Sequence, residues 1–399
     1  MKKHLVTAIS TMFGFLTLFQ AANVIAEEVP EPFKGFDDSS TYAINYDDLT
    51  AMLKTVVVDT GRSNRRVAQP APEVTGTRMK AKISKTANEG NRFHFEAFKD
   101  NEEGRQYLRD IQNSLQQLPS EAPLEYFSRK EQLAYWLNLY NVTVLNEIIA
   151  EYPKRNLKKL VEGKNSIFSK KLLEVAGVPL SLDEIQFNIL KQNYDSDPRI
   201  MYGLYRGVIG GPNIRRTAYT GANVYRALEE NADEFINSNR GTYGRDEKTF
   251  RVSSLYERNK AYFPDFNSDL SEHLLTYLDG EERARLQAAT KIKTNITDWT
   301  VTDVGGTHQR IGGSFAHNRA ALMDSVRSTV PADGGGVTGA AVGAGSSSMV
   351  AKGQRLSRID PGLLDLLNEI NTKRMAEIER NATVTIEEFE EEPTEEPSD

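Results

Sequence analysis

Apolar residues Leu49, Met52, Leu53 and Val56 recur at helical spacing behind Asp47 and Asp48. Carboxylates at that place suit the free N–H groups of a first helical turn. Leu108, Ile111, Leu115 and Leu118 mark one face of an amphipathic helix between Glu102 and Leu118, ended before Pro123. From Ser128 to Ile149 the apolar residues go almost all the way round, the signature of a central buried helix. Ser128 with Glu131 three residues on predicts a capping box there, and Ser181 with Glu184 predicts another ahead of residues 181–190. Tyr219–Ile236 and Glu281–Thr290 read as further helices. Arg199–Leu204 and Phe250–Val252 read as short strands, the first bounded by Pro198 and glycines. The expected fold is α+β: a helix-rich single domain with a few short strands and a flexible C-terminal extension, not a doubly wound sheet.

The ends of the chain have a different character. Lys2 and Lys3 precede an apolar run from Leu5 to Phe19, with Val24 and Ala26 at the small-residue positions of a cleavage site. Residues 1–26 are therefore expected to be a secretory signal peptide cut after Ala26, shorter than a membrane span. Export to the periplasm or the medium follows, and no later stretch is apolar enough to cross a membrane. Residues 27–40 read as a flexible leader, 41–327 as the domain, 328–358 as a Gly/Ala/Ser linker, 359–381 as a tethered helix and 382–399 as an acidic disordered tail. Asp360 at the N-cap with Pro361 at N1 starts the tethered helix, and Leu363, Leu366, Leu367 and Ile370 give it an apolar stripe. Such a helix docks on its own domain, pairs with a partner, or frays. Within the domain, residues 59–90 form a polar, basic, turn-rich stretch of the length expected for disorder or function.

Charge and composition narrow the chemistry. The chain of 399 residues has a formal net charge of -7, but the eight acidic residues between Glu387 and Asp399 account for it, so the rest is nearly neutral. There is no cysteine, which excludes a thiolate nucleophile, a disulfide and a zinc thiolate site. Four histidines lie beyond the signal segment, His94, His273, His308 and His317, and none forms a metal-ligating pair, so no metal or cofactor is expected. Asp303, His308, Ser314 and His317 allow an acid–base or serine site to be sketched, without a nucleophile elbow. Seven basic residues against one acidic residue between Tyr152 and Lys171 read either as a solvated face or as a contact for acidic envelope polymers or lipid headgroups. No nucleic-acid reader motif is present.

Five blocks in order carry a resemblance: LAYWLNLYNVTVLNEII at 133–149, SLDEIQFNIL at 181–190, DPRIMYGLYRGVIGGP at 197–212, AYT at 218–220 and ITDWTVTD at 296–303. They resemble the family known as domain of unknown function 547. Many of its members carry a histidine and an Asn-Cys pair followed by Ser-Cys-Pro in the third of these blocks. Here those positions hold Met201, Tyr205, Arg206, Gly210, Gly211 and Pro212, so the resemblance implies the backbone frame of that site without its reactive groups. Gly207, Gly210 and Gly211 still call for a tight turn, read either as an anion-binding nest of N–H groups or as a turn packed on a helix. Trp136, Asn138, Tyr140 and Asn141 on the central helix, with Glu184, Arg199, Tyr205, Arg206 and the three glycines, are the candidate ligand-binding residues. Arg206, Arg215 and Arg216 suit a carboxylate or phosphate. The expected function is non-catalytic binding in the cell envelope, of a protein or an anionic ligand, with the C-terminal helix as a protein contact. The alternative is a cysteine-independent hydrolase or transferase that uses histidine or carboxylates.

Overall fold

The computed structural model describes residues 28–65, 86, 89–244, 248–304 and 350–352. The signal segment, most of the 328–358 linker, the 359–381 helix and the acidic tail lie outside the described residues, as do His308, Ser314 and His317. Strand β1 is Tyr42–Ile44, α1 Asp47–Val56, β2 Val57–Val58 and β3 Arg92–Phe93. Then come α2, Glu102–Glu121, and α3, Arg129–Glu151. A hairpin of β4, Lys171–Val175, and β5, Val178–Ser181, leads into α4 at Leu182–Glu184, which runs on through a π-helical stretch, Ile185–Leu190, to Lys191–Asn193. Helix α5 is Val224–Ile236; β6, Thr242–Tyr243, β7, Thr249–Ser253, and β8, Lys291–Ile296, form a three-stranded sheet. Helices α6, Ser254–Arg258, α7, Phe266–Tyr277, and α8, Gly280–Ala288, lie between β7 and β8. The architecture is α+β, with helices predominant and strands short.

Helix α3 is the centre. Leu133 to Leu145 are all buried, so the residue faces that a surface helix would show to water here meet protein on every side. Around α3 is one core cluster, reaching from Val29 to Val301; a second gathers Met201 and Tyr202 with residues of α5, β7, α6, α7 and α8. Helix α1 buries the four apolar positions read from its pattern.

Three local expectations change. Arg199–Leu204 is not a strand: Pro198–Gly203 is a 3-10 helix, started by Asp197 accepting from the Arg199 N–H at 2.9 Å. Its carbonyls are satisfied by side chains, Asn231 Nδ2 donating to Tyr202 O at 3.0 Å and Asn141 Nδ2 to Gly203 O at 2.9 Å, so no strand partner is required. Helix α5 begins at Val224 rather than Tyr219, because Asn138 and Asn223 take up the backbone between Ala218 and Thr220. At α3 the capping box is half formed: Ser128 Oγ accepts from the Glu131 N–H, but the Glu131 carboxylate turns to the N–H groups of Gly221, at 3.0 Å, and Ile44. The Ser181–Glu184 box is complete. Within the stretch read as a linker, Val350–Lys352 forms a strand, β9, paired antiparallel with β1.

Candidate functional site

The glycine-rich segment is held from two sides. On one side are the asparagines of α3. Asn141 Oδ1 accepts from the Tyr205 N–H at 2.8 Å while its amide donates to Gly203 O at 2.9 Å; Asn138 makes the same double contact with the N–H and carbonyl of Tyr219, at 3.0 and 2.8 Å. A carboxamide is the side chain that can do this, with a donor and an acceptor at one tip. On the other side lies residues 298–304. Val208 bridges Val301, the Ile209 N–H donates to Thr300 O at 2.8 Å, the Gly210 N–H to Asp298 O at 2.9 Å, and the Thr302 N–H to Gly207 O at 3.0 Å.

These contacts decide between the two readings of the turn. The N–H groups of Ile209, Gly210 and Gly211 are all given to backbone carbonyls, so they form no nest for an anion. Gly207 has φ +74, and a Cβ there would lie 2.0 Å from Ile148 Cδ1 on α3; a Cβ on Gly210 would lie 2.7 Å from Asp298 N. The glycines are needed because backbone and helix approach closely, not because a ligand does.

The candidate residues fall into separate surroundings. Trp136 is buried edge-on against Phe33 and Tyr135, both with ring centres 5.0 Å away. Asn138 and Asn141 flank a slot of about 10 Å³ shared with Leu49, Leu53 and Arg215, room for about one water. Tyr205 is buried, with its hydroxyl on Thr302 Oγ1. Glu184 closes its capping box and pairs with Lys171. Arg199 forks onto Asp197 and reaches Glu229 at 3.3 Å, on another part of the surface. Arg215 binds Ala227 O, Asn231 and Glu230, and Arg216 binds Lys54 O, so neither joins Arg206. Met201, where the histidine of relatives is expected, is 1% exposed in the second core.

Tyr140 and Arg206 do come together, around Phe168. Tyr140 stacks on that ring at 6.0 Å, and the guanidinium carbons of Arg206 and Arg258 lie 5.0 and 4.9 Å from its centre. Arg206 is 5% exposed and donates through Nη2 to Val161 O at 3.2 Å and Glu162 at 3.0 Å; its Nε has no hydrogen-bond partner. Burial, and then Arg258, hold its pKa below the usual range. Arg258 pairs with Asp183. Glu162 and Asp183 are both partly exposed, so each guanidinium has one counter-ion that solvent reaches. Lys158, Lys159, Lys164, Lys170 and Lys171, on the same chain segment as Val161, Glu162 and Phe168, are exposed.

Two polar clusters went unread in the sequence. Tyr152 Oη lies 2.7 Å from Glu96 Oε2 and 3.1 Å from Asp303 Oδ2, one hydroxyl proton between two carboxylates. Asp303, sketched from sequence beside His308 and Ser314, accepts from Tyr152; His308 and Ser314 lie outside the described residues. The other cluster lies behind Asn213: Arg240, fully buried, pairs with Glu234, which also accepts from Asn213 Nδ2 at 2.8 Å. Arg65 reaches in from residues 59–65 to the carbonyls of Ile236, at 3.1 Å, and Thr242, at 2.9 Å, capping the end of α5. Single arginines and glutamates scattered over 150 residues offer no spacing to read.

Burial pushes Glu234 from its ordinary 4.5 up to about 7 despite Arg240. The folded state thus holds this proton more tightly than the unfolded chain, so the contribution is full below pH 4.5 and is lost as pH rises through 7. His273, buried with Nε2 2.8 Å from Tyr202 Oη, is pushed the other way, to about 4, so its contribution is full above pH 6.5 and is lost as pH falls through 4. The two windows overlap and act in opposite directions, so in thermal melts from pH 4 to 8 Glu234→Gln is expected to remove a fall in stability as pH rises from 4.5 to 7, and His273→Gln a rise in stability as pH rises from 4 to 6.5. Unchanged slopes in both would show that these groups do not titrate as their surroundings dictate.

Residues 124–236 match the family described as Protein of unknown function, DUF547. The similarity is shown for this stretch, which is less than half of the chain. The stretch contains α3, the hairpin, α4, the glycine turn and α5, and the asparagines of α3 that hold the turn and Tyr219 lie within it. The block at 296–303 lies outside the matched span yet is hydrogen-bonded along the turn within it. No curated protein and no solved structure matches the chain. No helix among the described residues is long and apolar enough to cross a membrane.

Proposed function

We propose that this is an exported cell-envelope protein that acts by binding an anionic partner through the stretch that matches DUF547, rather than by thiol chemistry. One observation carries the reading. Where relatives are expected to hold the cysteine of the Asn-Cys pair, this chain holds Arg206, a buried guanidinium with a spare donor, backed by Arg258 and adjoining a segment with five exposed lysines. A desolvated arginine under a lysine-rich rim attracts an anion at long range and binds it at short range. The Lys2–Ala26 segment supports export, and the mature chain should begin at Glu27.

Polyglutamate and vesicles of anionic phospholipid are the two probes, titrated at 50 and 300 mM salt. The mature protein should bind at least one of them, more weakly at high salt because the rim is exposed. Lys158→Glu with Lys159→Glu and Lys164→Glu should weaken binding at least about tenfold, the three exposed charge reversals contributing about 1.4 kcal/mol in sum. Glu162→Gln should strengthen it by freeing Arg206. No binding of either probe, or indifference to the triple variant, defeats the reading. A second reading, hydrolysis by carboxylates, is favoured by the Glu96–Tyr152–Asp303 contact alone, which sets two carboxylates about one hydroxyl as an acid–base pair would need.

A further inference from the structure

We propose that the corner formed by β1 and the aromatic residues beside it is the docking site for the chain's own C-terminal helix, residues 359–381, delivered there by β9. The inference is independent of the anion-binding reading, which concerns the Arg206 face.

Four observations converge. The large apolar side chains that remain exposed among the described residues are Phe36 at 49%, Tyr42 at 38% and Tyr126 at 54%. They share one corner: the Asp37 N–H donates to Phe127 O at 3.1 Å, the Tyr42 ring lies 6.3 Å from that of Phe127, and Phe36 lies under Arg129 at 5.5 Å. Grouped exposed aromatics on an otherwise covered body mark a contact surface.

Second, β1 receives Val350–Lys352 in antiparallel register, Tyr42 opposite Lys352 and Ile44 opposite Val350. Because the strands run in opposite directions, the chain leaves β9 at the Tyr42 end, toward Phe36 and Phe127 rather than away from them. Third, the connection is short. Eight steps from Lys352 to Asp360 reach at most about 28 Å, so the helix start lies within that distance of the Tyr42 end of β1, a reach that includes this corner. Fourth, the occupant has the matching chemistry: Leu363, Leu366, Leu367 and Ile370 form an apolar stripe that cannot stay in water without cost.

The strand pairing has a defined weak point. Ile44 turns its N–H to Glu131, so by the alternation along a strand Ala43 turns its N–H to the opposite edge, where Ala351 lies. Ala43→Pro removes that donor and leaves the Glu131 side intact. Glycine-rich chain joins Val304 to Val350, and the effective concentration that such a tether gives favours the chain's own strand over that of a second copy.

The absence of cysteine makes the test clean, since the only thiols are those introduced. In the full chain, Tyr126→Cys with Leu366→Cys is treated with a short flexible bis-maleimide at low protein concentration. The expected result is an intramolecular cross-link, at least fivefold more than from Glu272→Cys on α7 with Leu366→Cys, and reduced at least threefold by Ala43→Pro. Leu363→Asp with Leu367→Asp, which leaves the body untouched, should reduce it as well. Equal cross-linking of both cysteine pairs, a product found only as a dimer, or a yield unmoved by Ala43→Pro and by the aspartates would each overturn the proposal.

Discussion

Asn141→Ala is expected to lower the melting temperature by about 10 °C. The substitution orphans the buried Tyr205 N–H and leaves the Gly203 carbonyl with only the long 3.5 Å contact from the Tyr219 hydroxyl, on either side of a buried turn. Each buried group left without a partner costs about 1–3 kcal/mol, so the loss is about 4 kcal/mol, enough to move the midpoint of a domain this size by that amount. Asn146→Ala, five residues on along the same helix, is the control. Its amide donates to Gln112 at 2.6 Å and Leu108 O at 3.3 Å, both within reach of other partners or water because the site is only half-buried, so its loss should stay near 1 kcal/mol. Chemical denaturation of the two variants measures the difference. Equal losses would mean that Asn141 does not clamp the turn.

Gly207→Ala is expected to cost about 3 kcal/mol, from two sources that can be separated. One is conformational: φ +74 is open to glycine and costs a residue with a Cβ about 1 kcal/mol. The other is steric, since the new Cβ would stand 2.0 Å from Ile148 Cδ1, and overpacking of this kind costs about 1–3 kcal/mol. Ile148→Val removes Cδ1 alone. In that background the penalty of Gly207→Ala should fall to about 1 kcal/mol, a coupling that equilibrium denaturation of the four-member cycle reads directly. An uncoupled cycle would place the strain elsewhere than at the contact between the turn and α3.

What was legible in the sequence were patterns carried by near neighbours. The stripe of α1, the face of α2 and the Ser181–Glu184 box were readable because side chains three and four apart meet on a helix whatever surrounds it. The all-round apolar character of α3 announced its central place. The errors lie where a distant side chain takes over a backbone group. Arg199–Leu204 is β-prone by composition, yet Asn141 and Asn231 collect its carbonyls and it coils. Tyr219 belongs by pattern to α5, yet Asn138 holds it out of the helix. Glu131 is in place for a capping box, yet Gly221 and Ile44 outbid the local partner.

The sequence by itself determined the class of the fold, the resemblance to DUF547, the lack of any thiol and the replacement of expected reactive positions by Met201, Tyr205, Arg206, Gly210 and Gly211. These are properties of residue identity and short-range order, and no folding is needed to state them. Only the tertiary structure decided that the glycine turn spends its N–H groups on Asp298, Thr300 and Val208, that Arg206 meets Tyr140 and Arg258 over Phe168, and that β9 closes onto β1. The reason is physical: a buried donor or guanidinium must be satisfied by whatever the folded chain brings within 3 Å, and that partner has no fixed distance along the sequence.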